Sequence, residues 1–396
     1  MTSPVRTRVI TRPKIFAALS CVFAMAILSA CSSSGGSSSG GSGSAGSASG
    51  GSASASASSP AVKAAQVTAA RWEKAPTELG VTTPLKTAPP KGKTFVWLNC
   101  ELSACAQILV GVRQAASAAG WNLKVVQYQQ ANPATVLSAF KLALNYHPAA
   151  VGLSGLPEAV WSSIIPAYKK AGVPIVAGYV GPLAMNSTVI GNISGPPDGV
   201  ETGQILANWF VADSGGKGQA LNVRTDELPY LKTFSDAFQT DVQKQCSGCK
   251  VTNLDMSVAD ATGGKVNSAI VSDLQRNPSI NYVVATEGPF IDGLPAALSA
   301  AGLSGKVKIA GENGDVENLT DVKNGTEAAF TGASLHIGGW QYLDVAIRHA
   351  EGMTFDPYDG TQPKQLLTKT VQFSPAADYD VPANYPQQFR TLWKLP

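Results

Sequence analysis

The stretch 94-TFVWLNCELSACAQILVGVRQAASAAGW-121 decides the fold. Residues 94–98 form an apolar, β-prone run without a charge, the pattern of a strand buried on both faces. Polar groups at 99–103 break the run. Leu109, Val112, Ala116 and Ala119 then recur at helical spacing, and Gly120 stops the helix. A second strand, 123–128, follows at once. This is a βα unit opening a parallel sheet, and the loop after its strand is where such sheets place ligands.

The alternation continues down the chain. Asn132-Pro133 starts a helix that runs to about Tyr146, because Asn caps free amides and Pro suits a first helical position. Strands are predicted over 149–153, 173–179 and 188–193, with a helix over 156–171. The pattern then restarts. Strands are predicted over 220–224, 251–256, 281–285, 306–310, 328–333 and 368–373. Helices are predicted over 198–212, 230–245, 264–276, 291–301, 316–323 and 338–351. Such alternation predicts an α/β protein with parallel sheets and right-handed crossovers, in two consecutive sets.

Upstream of the fold the composition changes. A basic region is followed by an apolar run, 15–30, too short for a comfortable transmembrane helix, so residues 1–31 read as an export leader. Leu28-Ser29-Ala30-Cys31 looks like a bacterial lipobox, with Cys31 the lipidated residue; an ordinary signal peptide ending near a cysteine is the alternative. Residues 32–59 are Gly, Ser and Ala only, a tether (32–60) with an r.m.s. span on the order of 30 Å. An N-terminal extension, 61–92, is expected on the surface and partly helical around 61–72. Four of the 30 basic residues, Arg6, Arg8, Arg12 and Lys14, belong to the leader; the 26 that remain face 27 acidic ones. The exported protein is therefore near neutral and offers no electrostatic footprint for nucleic acid.

Beyond Cys21 and Cys31 there are four cysteines, the close pairs Cys100/Cys105 and Cys246/Cys249. Outside the cytosol, two close pairs read as two short disulfides. A four-thiolate zinc site and a redox-active Cys-x-x-Cys are the competing readings, the latter disfavoured because a strand rather than a helix follows Cys249.

At the level of whole segments a resemblance appears. KTFVWLN with VGVRQAASAAGWNLKVV, then NPATVLSAFKLALNYHPAAVGLSG, AGVPIVAGY, NYVVATEGPFIDGLPAALSAAG and KVKIAGENGDVENLTDVKNG together resemble the ordered elements of type I periplasmic solute-binding proteins of the ribose-binding kind. The resemblance spans some 280 residues, 93–373. It implies two Rossmann-like lobes, 93–193 plus 334–365 and 194–333 plus 366–396, joined by a three-strand hinge with a ligand between them. It implies an extracytoplasmic, monomeric, lipid-anchored protein that hands a small sugar-like solute to an ABC transporter permease. A ligand sensor serving a membrane receptor or kinase is the alternative use of the fold.

Ligand contacts in such a cleft come from the carboxyl ends of strands. The candidates there are Asn99, Glu101 and Ser103, then Tyr179, Glu287 and Asn313, with Ser334 beside a crossing segment and Phe234 on the second-lobe helix. Glu287 and Asn313 fall where the family holds hydroxyl-binding groups. Tyr179-Val180 replaces the family's Asp-Arg pair, and Ala104 and Cys105 replace its paired aromatics, so the usual pentose grip is not reproduced. Phe290, Trp97 and Trp340 are further aromatics, expected in the core. Enzyme chemistry is not signalled. There is no G-x-G-x-x-G after the first strand, no Walker loop, no H-E-x-x-H and no G-x-S-x-G, and the three histidines are scattered. No cofactor and no metal is expected.

Overall fold

The computed structural model describes residues 59–375 and 379–396. The leader, Cys31 and nearly all of the tether lie outside the described residues. The described chain opens with α1 (Pro60–Trp72), capped by Ser59, whose side chain accepts from the Val62 amide at 3.2 Å. Val62, Ala65 and Ala69 form its buried stripe. The extension expected on the surface is thus integral to the fold.

The opening stretch folds as β1 (Thr94–Asn99) and α2 (Ser103–Ala119), and Gly120 ends the helix in the left-handed conformation, φ 70°. Next come β2 (Asn122–Gln127), α3 (Pro133–Leu144), β3 (Ala150–Ser154), the short helices α4 (Glu158–Trp161) and α5 (Ile165–Ala171), β4 (Ile175–Gly178) and β5 (Val189–Ile193). The single helix expected over 156–171 is broken because Pro166 lacks an amide and takes the first turn of a new helix. The five strands form one parallel sheet in the order β2-β1-β3-β4-β5.

The second set runs α6 (Pro196–Asp213), β6 (Gln219–Arg224), α7 (Pro229–Gln245), β7 (Lys250–Asp255), α8 (Val258–Thr262), α9 (Val266–Arg276), β8 (Tyr282–Ala285), α10 (Leu294–Ala300), β9 (Lys308–Glu312), α11 (Val316–Asn324) and β10 (Ala329–Ala333). After α12 (Leu335–Ala350) the chain adds β11 (Lys364–Thr368) and ends on α13 (Tyr385–Leu392). The second sheet has the order β11-β10-β9-β8-β6-β7, parallel except for β11, which runs antiparallel to β10. The architecture is two-lobed α/β, as the alternation predicts.

The last strand departs from expectation: it is Lys364–Thr368, not 368–373. Lys364 and Gln365 look too polar for a buried strand. Their polar groups are neutralised locally, Lys364 by Asp198 and Glu201, and Gln365 by the Glu73 carbonyl at 2.7 Å and the Tyr379 hydroxyl at 2.8 Å.

Each sheet is covered on both faces. In the first lobe α2 and α12 pack so closely that a Cβ on Gly111 would lie 2.0 Å from the His336 carbonyl oxygen. On the outside of α12, Trp340 stacks on Phe389 at 5.3 Å and Trp393 lies 5.1 Å away. Residues 385–395, grouped by sequence with the second lobe, therefore pack in the core of the first. Conversely α1 packs in the core of the second lobe, with α6 and α7. The chain passes between lobes after β5, after β10 and before β11, and both terminal segments add a further crossing.

Candidate functional site

The carboxyl ends of both sheets face one cavity between the lobes. It encloses about 640 Å³ of space, the mouth included, of which about 80 Å³ is open to the centre of a water molecule. The first lobe contributes the start of α2 (Ser103, Cys105 and Ile108), together with Gln130, Ser154 and Tyr179. The second contributes Tyr230, Leu231, Glu287, Phe290, Glu312 and Asn313.

Backbone geometry turns two of these groups inward. Tyr179 follows β4 with φ 55°, and Asn313 follows β9 with φ 51°. Both lie in the left-handed region, which non-glycine residues avoid unless their surroundings fix them. Tyr179 is held by its amide, which donates to the Ile193 carbonyl at 2.7 Å, and by its hydroxyl, which accepts from Gln362 Nε2 at 3.0 Å. Its ring meets that of Tyr230 edge-on across the cleft, 5.5 Å between centroids.

Tyr230 donates its hydroxyl to Glu312 Oε1 at 3.1 Å, and Asn313 Nδ2 donates to Glu287 Oε1 at 2.5 Å. Glu312 Oε2 is buried without a hydrogen-bond partner. Only 6% of Glu312 and 9% of Glu287 is exposed. Burial pushes the Glu312 carboxyl up to about 8, against the lowering effects of Tyr230 and Lys364. Burial, reinforced by the charge of Glu312, holds Glu287 well above the usual carboxyl range. Lys364, the cation whose charge acts on Glu312, is committed to Asp198, Glu201 and the Gln362 carbonyl.

Of the residues singled out in the sequence, Ser103, Tyr179, Glu287 and Asn313 meet at this cavity. The other four do not line it. Asn99 is buried beneath, accepting from Trp97 Nε1 and donating to the Cys100 carbonyl and Gln127. Glu101 is exposed and accepts from the Gln130 amide at 2.9 Å, fixing the loop after β2. Phe234 lies wholly in the second-lobe core: α7 points Phe234, Phe238 and Val242 at the sheet, and Tyr230 and Leu231, one turn earlier, reach the cleft instead. Ser334 caps α12, accepting from the Ile337 amide and donating to Asp380 at 2.6 Å.

The sequence reading missed Tyr230 and Glu312. The signal for Glu312 is a carboxylate ending the strand KIAGE directly after the apolar run 309–311. Tyr230 carried no comparable mark.

The cysteines pair as Cys100–Cys105 and Cys246–Cys249, with Cα separations of 5.6 and 5.4 Å. They sit in different lobes, which rules out a shared four-thiolate site. Among the described residues no group of three or more His, Cys, Asp or Glu is placed to hold a metal ion. His336, beside the cleft, has Nδ1 2.8 Å from Asp380 Oδ2 and Nε2 3.0 Å from Gln107 Oε1.

Residues 103–354 match the periplasmic binding protein domain. The chain belongs to that family. Among solved structures it is similar to GanP, a glucose-galactose binding protein from Geobacillus stearothermophilus, with 18% identity, 71% of this chain and 98% of that one covered, and a TM-score of 0.61. It is similar to the 5-methylthioribose transporter solute binding protein from Thermotoga lettingae, with 17% identity, 73% and 88% covered, and a TM-score of 0.62. A carbohydrate transporter solute binding protein from Agrobacterium radiobacter, solved with D-arabinose, has 21% identity, 72% and 97% covered, and a TM-score of 0.60. These likenesses establish the shared fold. No curated protein matches the chain.

Proposed function

We propose that the protein captures a small solute, sugar-like in size and shape, between its lobes and presents it to an ABC importer by hinge closure. The observation that carries this reading is a cavity walled by the carboxyl ends of both sheets, with Tyr179 of one lobe against Tyr230 of the other. A solute there touches both lobes at once, so it binds the closed arrangement more tightly than the open one and shifts the population toward it. Of three bacterial binding proteins of this fold, two are named for glucose and galactose and for 5-methylthioribose and one was solved with D-arabinose, which supports a compact polar or half-polar solute. No bond in the solute need be made or broken, and we read the protein as a monomeric binder rather than an enzyme.

The export leader, the lipidated Cys31 and the tether of 32–60 complete the reading: the protein is held outside the cytoplasm on a flexible lead from the membrane. Among the described residues no helix is long and apolar enough to cross a membrane, which is compatible with anchoring by lipid.

The test is a thermal-shift screen over sugars, polyols, nucleosides and amines, followed by calorimetry. A solute at 100 times its dissociation constant stabilises by about 2.7 kcal/mol. Glu287→Ala and Asn313→Ala should each weaken binding of the hit. Unchanged affinity in both would show that the solute is held elsewhere.

A further inference from the structure

Resting on that reading of solute capture, we infer that the solute carries a protonated amine, seated against Glu312 and Glu287 with its body against Tyr179 and Tyr230. The cavity holds two carboxyl groups and no Lys, Arg or His among its lining residues. Glu312 lines the cavity, only 6% exposed, and its Oε2 has no hydrogen-bond partner, so the side chain holds a spare acceptor at the cavity wall. Ionising a buried carboxyl that has one oxygen without a donor is costly, and a bound ammonium offsets that cost. The charges facing the pair confirm the deficit. Asp198 and Asp315 add negative charge, and Lys364 already serves Asp198 and Glu201.

The remainder of the wall fits an amine better than a neutral polyol. A polyol presents hydroxyls around its whole rim and needs polar partners around it. Here Ser103, Gln130 and Ser154 are the small polar groups of one wall, and Leu102, Ile108, Leu231, Phe290 and Leu335 make up much of the rest. The edge-to-face pair Tyr179–Tyr230 adds aromatic surface, which attracts a cation.

Proton linkage follows. Burial favours the neutral carboxyls, with Glu312 raised to about 8, whereas an ammonium favours the charged form. An amine therefore expels a proton on binding, and its affinity rises with pH toward about 8, by up to about tenfold per unit. Tyr230, Tyr179, Asp198, Asp315 and Lys364 are the other charged or titratable groups facing the pair.

The test uses matched pairs on the full chain: 2-phenylethylamine against 2-phenylethanol, and D-glucosamine against D-glucose, by calorimetry at pH 6 to 8 in buffers of different ionisation enthalpy. The amine of at least one pair should bind about tenfold or more tightly than its neutral partner, the discrimination expected when a buried charged group is otherwise left unpaired. Binding should release protons, and Glu312→Gln should erase the preference; Glu287→Gln gives the same readout if that variant fails to fold. Neutral members binding as well as the amines would overturn the charge assignment and leave solute capture standing. Binding by no member of either pair would overturn the amine assignment, and solute capture would then fall only if the wider screen also finds no stabilising solute.

Discussion

Glu312 makes the ligand-free protein sensitive to pH in a direction opposite to ordinary acid denaturation. Its carboxyl is raised from 4.5 to about 8 on folding, chiefly by burial. The folded state therefore holds a proton that the unfolded state releases. The stability this protects is fully present below pH 4.5 and is lost as pH rises toward 8. A rise of about 3.5 units corresponds to about 5 kcal/mol. Electrostatic coupling to Glu287 and relaxation of the surroundings on ionisation take up part of this, leaving about 2–3 kcal/mol. Glu312→Gln retains an oxygen for the Tyr230 hydroxyl and removes the titration. At about 2 °C per kcal/mol for a chain of this size, its melting temperature should match the wild type at pH 5 and exceed it by about 4–6 °C at pH 9. Asp292 and Glu327, pushed up to about 7 and about 9, titrate in both proteins, so the difference between the two curves reports Glu312 together with its effect on Glu287. Thermal melts monitored by intrinsic fluorescence in steps from pH 5 to 9 make the comparison. Parallel curves, or a variant less stable at pH 9, would refute the burial argument.

Other substitutions separate the core from the cleft. Phe234→Leu should lower stability by about 1 kcal/mol in denaturant titrations while leaving solute affinity unchanged, because Phe234 lies in the core beneath Tyr230. Trp393→Ala should cost about 3–5 kcal/mol by the same measurement, since the ring is fully buried against Trp340 and its Nε1 donates to Asp344. Replacing Cys100 and Cys105 together by Ser opens a ring closed over a sequence separation of 5 residues. We expect a loss of about 2 kcal/mol, with weaker solute binding because the start of α2 walls the cavity.

The fold was legible because its central strands are buried on both faces. Runs such as residues 94–98 and 149–153 carry no charge, and the helices that follow such runs stop at glycines, Gly120 and Gly172. What escaped was decided by distant partners. Lys364 hides in a strand because Asp198, more than a hundred residues earlier, receives its charge. The helix Tyr385–Leu392 is short and polar in composition, and its place on the first lobe depends on Trp340 and Asp344. The site was legible to the extent that it follows the strand ends, as with Tyr179, Glu287 and Asn313. On α7 the sequence offered Phe234 and Tyr230 one turn apart, and only the sheet beneath decides which of them faces the cleft. Asn99 and Glu101 stand in the right loop, but the one is consumed by Trp97 and Gln127 and the other by the Gln130 amide.

A crystal structure of the protein with the solute that stabilises it most tests the central claim most directly. The account predicts that solute between the lobes, with Tyr179 and Ser103 on one side and Glu287, Glu312 and Asn313 on the other. A solute bound to one lobe alone, or outside the cleft, would contradict it.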